Sequence, residues 1–232
     1  MIDIHRWGKE PCNPAIETGE IQVWLANLDE QQVNETWKLL SEEEKKRAAR
    51  LRDSLSSRRF ANAHGILRRL LGVYLAQDPR KLTFRYGVQG KPALAGAAEK
   101  ALSFNLSHSR DMAVYAIAKG LDVGVDIEYL RPLDDLDSMA GMVLSPTEWT
   151  NLKAEPAEEK LKYFFALWTY KEAVLKVTGN GLTGSMKAVE FINFKSSPET
   201  SEILLPDGRS CQVNTLPLDE GYIGAVAAAR EA

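Results

Sequence analysis

Two short runs of the chain hold side chains whose types and spacing suit chemistry. In DVGVDIEYLR, residues 122–131, Val123, Val125 and Ile127 alternate with Gly124, Asp126 and Glu128. That period of two marks a half-buried strand, on which Asp126 and Glu128 point to one side, roughly 7 Å apart. Neighbouring carboxylates repel, burial worsens the conflict, and a divalent cation relieves it. Hard oxygen donors of this kind suit Mg²⁺, which takes one or two carboxylates and completes its shell with waters and phosphate oxygens. In FFALWTYKEAVLKVTGNGL, residues 164–182, Glu172 and Lys176 stand four apart. On a helix they lie one turn above each other on one face, a carboxylate beside an ammonium. Either pair alone reads as ordinary surface charge; the two together change the odds.

Further groups suit phosphate. Lys91 stands between Gly90 and Pro92 on a turn, which places its ammonium as a point charge for a phosphate. Residues 103–109, SFNLSHS, alternate like a strand that ends in a polar turn. Ser107 and His108 are adjacent, so their side chains diverge; they make a poor nucleophile–base pair and better hydrogen-bond donors to phosphate or hydroxyl. The stretch KKRAARLRDSLSSRRF gathers Lys45, Lys46, Arg47, Arg50, Arg52, Arg58 and Arg59, the only dense positive charge in the chain. It reads either as a solvated helix face or as a docking patch for a phosphate-bearing ligand or acidic partner.

The elements that must position these groups follow from periodicity. Phe164, Phe165, Leu167, Trp168, Ala173, Val174, Leu175 and Val177 form the apolar band of a helix that Gly179 ends, with Lys171, Glu172 and Lys176 set against the band. After a polar lead, a strand is expected at Ile21–Leu28 and a helix from Asp29 to Leu40. Ser41 with Glu44, and Ser145 with Glu148, are capping-box patterns that start helices. A helix from Arg59 to Ala76 carries His64. Leu82–Tyr86 and Met112–Ala118 read as strands, and 133–144 as a short helix. Strands are expected at Ala188–Phe194, Glu202–Leu205, Ser210–Leu216 and Gly221–Ala228, with Asp207-Gly208 turning a hairpin. Helix, strand, turn and paired strands ending in MAVYAIA parallel the later helix and strands ending in YIGAVAAA. The expectation is an α+β protein, a pseudo-twofold arrangement of two similar α/β halves, 1–118 and 119–232, with its site in the cleft between them.

Composition narrows the function. The chain has 232 residues, 44% apolar and 26% charged, with a net charge of −3, too near neutrality for bulk attraction to nucleic acid or anionic membrane. The N-terminus lacks an apolar signal core and no run has the length of a membrane span, so the cytoplasm is the default. Cys12 and Cys211, and His5, His64 and His108, are too scattered for a disulfide framework or a zinc site.

GVDIE followed by WTYKEAVLK, and preceded by GKP and FNLSHS, resembles the surfactin-type 4′-phosphopantetheinyl transferases over about residues 87–182. The resemblance implies an enzyme that moves the phosphopantetheine arm of coenzyme A to a serine of an apo acyl or peptidyl carrier protein, releasing 3′,5′-ADP with Mg²⁺, or Mn²⁺ in its place. It implies Asp126, Glu128 and Glu172 as metal carboxylates and Lys176 at the pyrophosphate. It also implies Lys91, Ser107 and His108 at the coenzyme A phosphates. Many relatives have arginine where this chain has His64, so the terminal ribose phosphate would depend on protonated His64 or on Arg50, Arg52 or Arg59. Glu172, directly or through a water, is the expected base and Lys176 the group that assists the leaving phosphate. The carriers of this family are acidic, which suits the basic stretch, and two fused halves suit a monomer. Rival readings are a non-enzymatic coenzyme A-binding regulator, disfavoured by the intact acidic motifs, and a Mg²⁺-dependent nucleotide pyrophosphate hydrolase, which gives the basic stretch no task.

Overall fold

The structure, a computed structural model, describes residues 2–8, 14–87, 90–98, 101–179, 186–192, 194 and 200–230. Strands β1 (Ile2–Arg6) and β2 (Ile21–Asn27) pair in parallel. Helices α1 (Val33–Trp37), α2 (Glu42–Ala49) and α3 (Ser54–Tyr74) follow. A small hairpin, β3 (Phe84–Tyr86) with β4 (Pro92–Leu94), leads to β5 (Ser103–Ser109) and β6 (Met112–Ala118). The first sheet is ordered β1-β2-β6-β5. Strand β7 (Leu121–Tyr129) opens the second, and α4 (Leu136–Val143), α5 (Pro146–Ala154) and α6 (Lys160–Val177) come next. Strands β8 (Thr200–Leu204), β9 (Ser210–Thr215) and β10 (Tyr222–Arg230) complete a sheet ordered β7-β10-β9-β8.

The expected repeat is present as one topology used twice. Strand, helix and two antiparallel strands form β2-α3-β5-β6 and again β7-α6-β9-β10, with matching sheet orders β2-β6-β5 and β7-β10-β9. Strand alternation builds the layers. In the first sheet Trp24, Ala26 and Leu28 turn toward Ile66, Leu67, Leu70 and Leu71 of α3. Ile21, Val23 and Leu25 turn the other way, into a core shared with Val123, Val125, Ile127 and Val226 of the second sheet. Ala225, Ala227 and Ala229 of β10 face Phe164, Leu167 and Val174 of α6.

Several expectations need correction. The polar lead contains β1, whose N–H and C=O groups complete the ladder of β2. The Asp29–Leu40 helix shrinks to Val33–Trp37, and the basic stretch breaks at residues 50–53, where Asp53 accepts from Ser56 N–H and starts α3. Both capping boxes form. Lys171 is fully buried rather than on the polar face, 2.6 Å from the equally buried Glu148. Its ammonium also donates to the carbonyls of Met186 and Val189, while Glu148 accepts from Phe191 N–H. These bonds explain why Ala188–Phe194 is not the expected strand in its described residues: side chains have taken the backbone groups a ladder needs. Cys12, residues 88–89 of the glycine turn and the motif's end at 180–182 lie outside the described residues.

Gly124 lets α6 rest directly on β7. A Cβ there would lie 2.1 Å from the Ala173 carbonyl oxygen and 2.8 Å from Val177 N, both backbone atoms that cannot swing aside. Gly124→Ala is expected to destabilise the protein by about 3 kcal/mol, at the upper end of overpacking costs, read as a lower midpoint in thermal or urea unfolding.

Candidate active site

Strand β7 and helix α6 bring the acidic pairs together. Gly124, Asp126 and Glu128 share one strand face, and contact at Gly124 shows that face meeting α6. Asp126 is buried; its Oδ1 accepts from Ser107 Oγ at 2.9 Å and from Lys176 Nζ at 2.7 Å. Asp126 Oδ2 is buried with no hydrogen-bond partner. Glu128 Oε2 accepts from Ser109 Oγ at 3.0 Å and, more loosely, from Arg131 at 3.4 Å. Glu172 sits in the fields of both: burial and then the Asp126 charge push its pKa up, Glu128 adds to the rise, and Lys176 opposes it. Burial and Asp126 likewise raise Glu128.

These carboxylates fit a divalent cation by chemistry. They are hard oxygen donors, mutually repelling, and one buried oxygen is left without a partner. Among the described residues no three His, Cys, Asp or Glu side chains are already closed into a cage. Lys176 lies with its ammonium on Asp126 Oδ1 and the Val125 carbonyl, so it occupies the space beside the carboxylates.

A cationic group lies beside the acids. His108 keeps an exposed side on β5, yet the protein packed around the ring lowers its pKa, and His64, Lys176, Arg59 and Arg47 lower it further. His64 Nδ1 lies 3.2 Å from Glu44 Oε1, and its ring stacks on Phe60 at 4.1 Å. Glu44 would be pushed up by burial, but His64, the Ser41 N–H and Arg68 hold it at about 2, so it is a fixed negative charge at neutral pH. Arg47 lies over the Phe60 ring, 5.4 Å from its centroid.

The remaining expected site residues are placed differently. Ser107 contributes its hydroxyl to Asp126. Arg59 is paired with Asp29 at 2.5 Å. Arg50 is exposed at the end of α2 and makes no ion pair among the described residues. Lys91 is held by the carbonyls of Val123 and Lys176. Sequence reasoning passed over Ser109, which holds Glu128, and Asn105, whose Oδ1 accepts from Val125 N–H. Both share the strand face of Ser107, two residues either side, which was the available signal. Arg47, read only as one of the basic stretch, stands one turn from Glu44 on α2.

Comparison with known proteins adds a family. A family model described as the 4′-phosphopantetheinyl transferase superfamily matches residues 122–227. The chain is 38% identical to the 4′-phosphopantetheinyl transferase HetI of Nostoc sp., over 97% of this chain and 94% of that one. It is 32% identical to the transferase psf-1 of Bacillus pumilus, over 84% and 81% of the two chains. It is 31% identical to the transferase Sfp of Bacillus subtilis, over 74% and 78%. No described helix is long and apolar enough to cross a membrane.

The raised Glu172 pKa has a thermodynamic consequence. A carboxyl whose folded pKa lies above its unfolded value near 4.5 favours the folded state below that value. That contribution is lost as pH rises through the folded pKa. Glu172→Gln is therefore expected to raise the thermal midpoint at neutral pH in the presence of a chelator, with the gain vanishing below pH 4.5.

Proposed function

The chain belongs to the 4′-phosphopantetheinyl transferase superfamily, and we propose that it is a surfactin-type member acting on coenzyme A and an apo carrier protein. The transferred group would be the 4′-phosphopantetheine arm and the acceptor a carrier serine. The observation that carries this reading is the junction of Asp126 and Glu128 on β7 with Glu172 and Lys176 of α6, where the buried Asp126 Oδ2 lacks a hydrogen-bond partner and Lys176 donates to the other oxygen. Such a junction suits a ligand that brings both a divalent cation and several phosphates.

In this mechanism Asp126, Glu128 and Glu172 would hold Mg²⁺, which would supply charge neutralisation for the pyrophosphate. His108, His64, Arg59 and Arg47 receive coenzyme A's phosphates, and Ser107 offers a hydroxyl. Glu172 takes the proton of the carrier serine, directly or through a water; a carboxylate with a raised pKa is a better base at neutral pH than an ordinary one. The serine oxygen bonds to the phosphorus that carries pantetheine, and the bond from that phosphorus to 3′,5′-ADP breaks. Lys176 leaves Asp126 to meet the charge that collects on the departing phosphate, a stabilisation confined to the transition state and product. The basic residues of α2 and the start of α3 steer an acidic carrier toward the cleft.

Asp126→Asn and Glu172→Gln are each expected to lower transfer by at least about 100-fold while leaving a folded protein. The measurement is the mass gained by an apo carrier protein incubated with coenzyme A and Mg²⁺, beside circular dichroism of the variant. Full transfer in either variant removes the role assigned to that residue. Raising salt is expected to increase KM for the carrier through screening of the basic patch; a KM that ignores salt removes the steering role.

A further inference from the structure

Lys91 does something that a phosphate contact does not describe. Its ammonium donates to the Val123 carbonyl at 3.1 Å and to the Lys176 carbonyl at 2.5 Å. The second of these oxygens belongs to the last turn of α6, where carbonyls lack helical partners and the helix end is negative. The first lies on the free edge of β7. Along that edge Val125 N–H donates to Asn105, the Val125 carbonyl accepts from Lys176, and Tyr129 N–H donates to Ser109. Lys91 is therefore one of a row of side chains that stand where a neighbouring strand would be. Residue 176 is gripped at both ends, its carbonyl by Lys91 and its ammonium by Val125 and Asp126. Burial lowers the Lys91 pKa to about 8, with Asp122 opposing the fall and Lys176 adding to it, so the group is still largely an ammonium at neutral pH.

We propose that Lys91 is a positioning residue, a strut that ties the turn after β3 to the end of α6 and to β7, and so sets Lys176 and Glu172 against Asp126. This departs from the expectation that it grips a coenzyme A phosphate. What it positions rests on the transfer reaction above; the strut itself belongs to the protein without ligand.

Lys91→Met keeps the length of the side chain and removes the donors. In the ligand-free variant, backbone amides of residues 174–178 are expected to exchange with solvent about tenfold faster, while those of α3 and β6 keep their rates. Transfer is expected to lose about tenfold to 100-fold in kcat through misplacement of α6, with KM for coenzyme A little changed. Lys91→Arg, which keeps charge and donors, is expected to restore slow exchange at 174–178 and serves as the measurable variant if the methionine form does not fold. Unchanged exchange in the ligand-free protein overturns the strut, and a raised KM for coenzyme A at unchanged kcat would return Lys91 to the phosphates. A wild-type protein without transfer activity would count against the function proposed above, and the exchange comparison would still decide the strut.

Discussion

The structure turns on the open edge of β7. An edge strand presents unpaired N–H and C=O groups, and each one buried without a partner costs about 1–3 kcal/mol. Here Lys91, Asn105, Lys176 and Ser109 satisfy that edge instead of another backbone. Side chains from β5, from the turn before β4 and from α6 are thereby drawn to one line. Asp126 and Glu128 stand on the same strand, and Ser107 and Ser109 of β5 bond to their carboxylates. The seam that closes the edge also fixes the acids.

The charges at this seam are not fully paired by the protein itself. Glu128 and Glu172 are held in a state that resists ionisation, and His108 in one that resists protonation. Under the proposed function, both kinds of strain would be relieved by a polyanion accompanied by a divalent cation. Among the described residues the other buried charged groups are paired. Glu148 and Lys171 satisfy each other and four backbone groups, and Glu44 is enclosed by His64, Arg68 and Ser41. The contrast separates charges that hold the fold from charges left available for chemistry.

What the sequence disclosed is what depends on near neighbours in the chain. Alternation located β5, β6 and β7, and the spacing of Phe164 to Val177 located α6. Serine followed three residues later by glutamate marked the starts of α2 and α5. The two acidic motifs were legible because each lies within five residues on one element. What stayed hidden depends on partners far away in sequence. Lys171 looks like Lys176 in the chain, yet one meets Glu148 in a dry core and the other meets Asp126 at the seam. Arg47 and Arg50 are equally basic, and only the packing of α2 on α3 lays Arg47 over Phe60, the ring on which His64 stacks. The short β1 carries no strong pattern because its register comes from β2 rather than from its own residues.

The repeated topology explains why the molecule has this seam once and not twice. In the first half, β1 lies along the outer edge of β2 and completes its ladder with backbone, so that edge offers nothing to side chains. The face of β2 toward its helix carries Trp24 and Ala26, followed just past the strand by Leu28, and these seal against α3 as ordinary core. In the second half no strand among the described residues covers the corresponding edge of β7, and the face toward α6 carries Gly124, Asp126 and Glu128. Removing one strand and replacing three core-facing residues turns a structural edge into a polar one. The first half supplies the closed scaffold and, through β5 and the turn before β4, the side chains that the open edge needs. Neither half has a complete site, because the acids come from one and much of their support comes from the other.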